Sequence, residues 1–416
     1  MIMRIYWLEM KRVLKSRRAM ILLLIALVMS AVMAYLPITF ESINYPDENG
    51  NIVELNGLEA IAYKKTVRSV NNGEVTPKKL KAALEIYQST VSQYGGINID
   101  SEDFPLDVYT EKISPIRPLL GKLPEAFADP KTGMGASLMD ISPDELDRFY
   151  EQTVQHLKDV MQLEQKEYPT VQEQALSKYE KVQTPFQLYT GYSRDAFDYI
   201  ELFIFVLVII CTAIAAPTFS NEYQTGSDSI LRCTKHGRSR LAITKVAAAL
   251  TIFVTAFTVC IFLHLLISNL AFGPECMKTS MQMLFSVINL PVLNLGQLQV
   301  ALAIGGLLSL LAAASFTLFL SAKCKDSLTV ILIAFVSCLL PIFAYTALGA
   351  NWISSILPAA GVGMQNNLLY QLHNFNYLHI GQISLWTPYV ILVAAAIEIP
   401  VFLFLAIRAY CKHQVA

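Results

Sequence analysis

The residues best placed to do chemistry lie between 219 and 245, in a short basic stretch held between two long apolar runs. An acid, Glu222, is followed four residues on by Gly226, then by the apolar step Ile230 and Leu231, then by Arg238, Arg240 and Lys245. This order reads as recognition rather than catalysis: a short helix over 222–231, a break at Gly237, and a basic lead into the next apolar run. Charge alone admits a plainer reading, in which Arg232, Lys235, Arg238 and Arg240 keep the loop on one side of a membrane and meet anionic lipid. The full order, Glu-x3-Gly followed by Gly-Arg-x-Arg-x4-Lys, favours docking.

Other ionisable groups sit inside apolar runs, where an insertion cost of about 2.5–3.5 kcal/mol marks a functional site by default. Glu201 is near the start of its run and reads as a solvated end. Glu398 is deeper and precedes Pro400, which frees a backbone carbonyl; it could pair with a cation, line a path, or hydrogen-bond a neighbouring helix while protonated. His264 reads as a satisfied interhelical residue. His373 and His379 flank an aromatic stretch without metal-ligand spacing.

Several chemistries have no motif here. No Gly-x4-Gly-Lys-Ser/Thr phosphate loop occurs, so ATP is not bound by that route. A nucleophile elbow, a His-Glu-x-x-His zinc site and a dinucleotide fingerprint are also missing. The sequence argues against an enzyme and calls for no cofactor, no metal and no nucleic acid.

The elements that must position these residues are membrane spans. The chain of 416 residues is 54% hydrophobic and 16% charged, with mean hydropathy +0.44, against about a quarter charged in soluble proteins. Its apolar residues gather into six runs near the ~20 residues needed to cross a bilayer: 19–38, 200–219, 241–270, 300–322, 328–348 and 386–407. Outside the long segment between the first two runs, 15 of 16 Lys and Arg fall on one face, Lys278 being the exception. Short basic loops stay cytoplasmic. Both termini (1–18 and 408–416) and the loops 220–240 and 323–327 are therefore expected inside. The segment 39–198 and the loops 271–299 and 349–385 are expected outside. Ala31 to Ala34 is weakly cleavage-like, but the basic lead and the length of the run read as a retained anchor.

The predicted fold is an all-α polytopic membrane protein with a mainly helical extracytoplasmic domain between its first two spans. That domain is acidic, 26 Asp and Glu against 16 Lys and Arg, and holds none of the seven cysteines, so packing must hold it together. Its net charge points weakly to cationic cargo. Thr76 and Pro77 open a helix to about Tyr94. Ser142 to Glu145 is a capping box leading a helix that Pro169 stops, and a third helix covers 171–182. The Pro- and Gly-rich stretch 95–135 reads as irregular, and 277–288, 352–357 and 367–378 as short interfacial helices. Residues 1–18 form a basic amphipathic helix suited to the membrane interface. Gly305, Gly306, Ser309 and 312–315 are small residues that let helices approach closely, within one chain or between two.

Taken together, the interfacial start, the six spans, the loop with Glu222, Gly226, Leu231, Gly237, Arg238, Arg240 and Lys245, and the last outer loop with Pro358 resemble ABC-2 type ABC-transporter permeases. The large domain 39–198 departs from members that carry only a short loop there. The resemblance implies a membrane-spanning subunit driven by separate cytoplasmic ATPase subunits, with Glu9 facing the ATPase. It also implies a partner permease, identical or sister, contact with membrane lipid, and a multi-pass place in the cell membrane. Export of an amphipathic peptide, lipid-linked or drug-like substrate is the implied direction. A non-transporting sensor or scaffold with a ligand-binding external domain is the alternative.

Overall fold

A computed structural model describes residues 2–46, 51–97, 104–234, 237–349, 351–363 and 366–413. Six helices are long and apolar enough to cross a membrane: Arg17–Thr39, Arg194–Thr225, Ser239–Phe272, Leu295–Lys323, Ser327–Thr346 and Thr387–Lys412. The chain is an all-α polytopic membrane protein with few strands. Spans two and four are the most buried and form the centre of the bundle. Span four packs most extensively against span six, and span one against spans two and three.

The small residues of span four make that centre possible. A Cβ on Gly306 would meet Ile204 at 2.8 Å, and one on Gly305 would meet Leu368 at 2.3 Å. The Ser309 hydroxyl donates to the Ala360 carbonyl at 2.6 Å. These positions therefore serve close approach within this chain. Outward faces of spans one and five carry Ile21, Leu24, Val28, Leu332, Val336 and Phe343 in exposed positions; such surfaces suit hydrocarbon, not water.

Residues between spans one and two form a mainly helical domain that shares a continuous apolar core with the bundle. The helix Pro77–Tyr94 has the predicted ends: the Thr76 hydroxyl accepts from Lys79 N, and Gly95 closes it at φ +73°. The Ser142 capping box opens a 3-10 turn, Pro143–Arg148, which continues as the helix Phe149–Glu164. Between them, the stretch expected to be irregular contains the turns Leu106–Val108, Arg117–Leu120 and Leu123–Ala126. Pro105, Pro118 and Pro124 of that stretch sit at helix starts, where a missing N–H costs nothing. The loop after span three holds a 3-10 turn, Pro274–Lys278, and one turn, Met281–Leu284, in place of the expected longer helix. The antiparallel pair Tyr377–Ile380 with Ile383–Trp386 replaces the end of the helix expected over 367–378.

The domain is fastened down by side chains that reach backbone. The Tyr179 hydroxyl donates to the Val287 carbonyl at 2.7 Å, and the Lys122 ammonium to the Phe285 carbonyl at 2.6 Å. Inside it, the half-buried Tyr150 hydroxyl donates to the Val75 carbonyl at 2.5 Å and accepts from Phe186 N at 3.0 Å. Burial pushes the Tyr150 phenol well above its ordinary range, so it stays a neutral donor. Tyr150→Phe orphans both groups and is expected to cost about 1–3 kcal/mol, seen in hydrogen exchange as faster exchange of the Phe186 amide. Unchanged protection there would contradict the clamp.

Candidate functional site

At the end of the bundle that carries both chain termini, span two bends. Its helix Arg194–Ala215 gives way at Ala216 and resumes as Pro217–Thr225, because Pro217 lacks the N–H that would continue the ladder. The amides of Phe219 and Ser220, freed by the break, donate to the Ser321 hydroxyl of span four at 2.9 and 3.1 Å. The resumed helix ends at Gly226, whose φ of +66° suits glycine, and a further turn covers Ser227–Arg232. The single helix expected over 222–231 is thus broken at Gly226, not at Gly237. Gly237 has a different task. A Cβ there would lie 1.6 Å from the Leu231 carbonyl oxygen, so backbone fills the space a side chain would need.

On the bent helix, Glu222 is the hub of a buried charge network. Its Oε1 accepts from the Lys245 ammonium at 2.5 Å and from Arg12 Nη1 at 2.8 Å, and its Oε2 from the Tyr410 hydroxyl at 3.3 Å. Glu9 joins from the amphipathic helix Ile2–Leu14, 3.4 Å from both Lys245 and Arg12. The Arg12 guanidinium also donates to the Thr218 carbonyl at 3.3 Å. The Lys245 side chain is 0% exposed and that of Glu222 3%. Two cations and two anions balance the set. That balance is needed, because an unpaired ion so buried costs several kcal/mol, about 3–5 when one partner is removed.

The amphipathic helix is oriented by the same contacts. Ile5, Tyr6, Glu9, Met10 and Val13 are its less exposed positions, and the Tyr6 hydroxyl donates to Thr251 of span three at 2.9 Å. Met3, Trp7, Leu8 and Leu14 are exposed. Glu9 therefore turns into the bundle, not toward a partner surface. Its spacing of three from Arg12 draws it to the same pair of charges.

Further contacts tie the bent helix to the remaining spans. The Gln224 amide donates to Asp326 at 2.5 Å and accepts from the Ser327 hydroxyl at 2.8 Å; Asp326 in turn caps span five through Thr329 N at 2.8 Å. Tyr223 stacks on His413 with ring centroids 4.1 Å apart and donates to the Ala322 carbonyl at 3.2 Å. Of the residues the sequence singled out, Glu9, Glu222 and Lys245 meet in one network. Gly226 and Gly237 shape the backbone, Leu231 packs against the core, and Arg238 and Arg240 are exposed. Ile230 is 73% exposed on the same surface. Lys235 lies outside the described residues. Sequence reasoning missed Tyr410 and Ser321, which carry no local signal, and took Arg12 only as a topological charge.

The intramembrane candidates lie elsewhere. Glu201 is 1% exposed, with Oε1 unbonded among the described residues. It is not a solvated end, because the helix Leu368–His373 and the domain close over the start of span two. Glu398 is half-buried and has no hydrogen bond or ion pair among the described residues. His264 stacks parallel to Phe203 at 5.4 Å and hydrogen-bonds the Ser30 backbone of span one, while its Nδ1 has no partner among the described residues, so the interhelical residue expected is satisfied at one nitrogen only. His373 bonds the Leu369 carbonyl, while His379 stacks on Tyr168.

Residues 3–412 match the family model described as ABC-2 family transporter protein. Neither the curated proteins nor the solved structures contain a match.

The network makes a quantitative expectation. Lys245→Met should destabilise the chain by about 3 kcal/mol or more, since Glu222 loses its closest partner. In the double variant with Glu222→Gln the cost should fall short of the sum of the single costs by ~1 kcal/mol or more. Thermal unfolding in detergent measures both, and strict additivity would refute the network.

Proposed function

The chain belongs to the ABC-2 transporter family as a membrane permease subunit, and on that premise we propose that the bent helix after Pro217 is where a separate ATPase subunit drives it. The observation that carries this reading is the Glu222 network. It joins the amphipathic helix and spans two, three and six at one buried point.

In this reading the ATPase docks on the exposed rim, Ile230, Arg238 and Arg240, and not on the buried charges. Motion of the rim moves the helix Pro217–Thr225 as a unit, because its ends are fixed by Ser321 and by Gln224 on Asp326. Glu222 then carries that motion to Lys245 of span three and to Arg12 of the amphipathic helix, biasing the spans between two packings. Both termini and the rim are cytoplasmic, as the basic residues favour. Two such chains, or this chain and a sister, make a twelve-span assembly whose partner contacts draw on the exposed apolar faces of spans one and five.

The transport direction is outward and the substrate amphipathic. A cleft of about 470 Å³ near the domain supports the amphipathic substrate: its lining includes Ile304, Leu392, Leu293 and Lys178, whose Nζ lies 4.6 Å from the centre of the Tyr389 ring. Such a cleft takes an apolar body with a polar end.

Co-purification tests the proposal. A soluble ATPase should accompany the tagged chain in mild detergent, and Ile230→Asp or Arg238→Ala should release it. Glu222→Gln should keep the ATPase bound but lower substrate-stimulated ATP hydrolysis by about tenfold, equivalent to ~1.4 kcal/mol. A chain that purifies alone, with no associated hydrolysis, would overturn the transport reading and favour a sensor.

A further inference from the structure

A second cleft, about 460 Å³, lies where the domain meets the outer ends of the spans. Its walls come from the helix Gly57–Arg68, the turn Arg117–Leu120, residues 188–192 ahead of span two, and the loop between spans three and four. Four cations line it: Lys64, Arg68, Arg117 and Lys122. Of the four, only Lys64 forms an ion pair among the described residues, with Glu41 at 2.7 Å.

The other three cations hydrogen-bond only to neutral groups among the described residues. Arg68 Nε donates to the Ser114 carbonyl at 3.3 Å, Arg117 Nη1 to the Tyr109 hydroxyl at 2.8 Å, and Lys122 to the Phe285 carbonyl at 2.6 Å. Lys122 is 9% exposed. Burial, with the neighbouring Arg117 adding to it, pushes the Arg68 guanidinium below its ordinary range; burial does the same to Lys122. Glu41 acts on Lys64 and Arg68 and Glu125 on Lys122, yet the four cations outnumber these two acids in a partly desolvated cleft, which is unfavourable unless an anion completes the set. The domain's acidic total, which pointed to cationic cargo, does not describe this surface.

We infer that this cleft binds a phosphate-bearing anion, either a lipid headgroup or a free phosphate. Guanidinium groups present paired N–H donors that match phosphate oxygens. Leu284 and Leu295 supply apolar wall beside the charges, at the start of span four where lipid headgroups meet a bundle. A ligand held here touches the domain, the lead into span two and the loop before span four at once, and so fastens the domain to the spans. The inference goes beyond the transport reading and does not rest on it.

The test is direct binding to the purified full-length chain, without any ATPase, using inorganic phosphate and dihexanoyl phosphatidic acid as probes. Saturable binding of phosphatidic acid is expected, at least tenfold tighter than phosphate, which identifies a headgroup. Equal affinities would support the site with free phosphate as the source. Arg68→Gln combined with Arg117→Gln should weaken either probe tenfold or more. Arg117→Gln alone, at an exposed position, should weaken it severalfold with an unchanged unfolding temperature, and the double Arg→Lys variant should recover part of the affinity. Absence of binding by both probes, or binding indifferent to the arginine variants, would overturn the inference while leaving the permease reading intact.

Discussion

Glu222 and Lys245 face each other at 2.5 Å in a site almost closed to solvent, and the base of the molecule is arranged around keeping them paired. Neither charge could be there alone. Two buried ions of opposite sign gain from the low local dielectric only if their remaining hydrogen-bonding positions are filled as well. Arg12, Tyr410, Glu9 and the Thr218 carbonyl fill them. They come from the amphipathic helix, span two and span six, so satisfying one ion pair fixes that helix and the ends of spans two, three and six in one arrangement.

A well-packed apolar cluster could have held these elements with equal or greater stability. It would not have held them with the same directionality. Apolar contacts slide, whereas a carboxylate between an ammonium and a guanidinium loses energy steeply as its partners move by an ångström or two. The bend at Pro217 belongs to the same design. It interrupts the helical ladder just ahead of Glu222, and the Ser321 hydroxyl covers two of the amides left without a helical partner. On the proposed reading, attachment at this point, beside an exposed rim with Ile230, is what passes motion from an ATPase to the spans.

Much of this was legible in the sequence. Six apolar runs, their basic flanks and the capped helices starting at Pro77 and Pro143 follow from length, charge and caps, signals that act locally. Glu9, Glu222 and Lys245 could be singled out because each is a charge beside an apolar run. Their mutual contact could not, since residues 9, 222 and 245 share no local period, and Tyr410 looks like any residue at a span end. The same limit explains Glu201. A carboxylate near the start of a span reads as solvated until the helix Leu368–His373, far along the chain, is seen to close over it. Prolines in 105–124 misled for a different reason: the residue that breaks a helix also starts one well.

The two charged regions of the molecule differ in a way that bears on their roles. At the base, cations and anions are matched and mutually bonded, leaving nothing for a ligand to complete; such a set transmits position. In the cleft between the domain and the spans, Arg68, Arg117 and Lys122 hydrogen-bond only to neutral groups among the described residues, and the cations outnumber the acids near them. A chain under no functional constraint loses little by replacing Arg117, which is exposed, and gains by relieving Arg68 of a like charge nearby. Matched charge marks the part that must hold together, and unmatched charge marks the part that must meet something else.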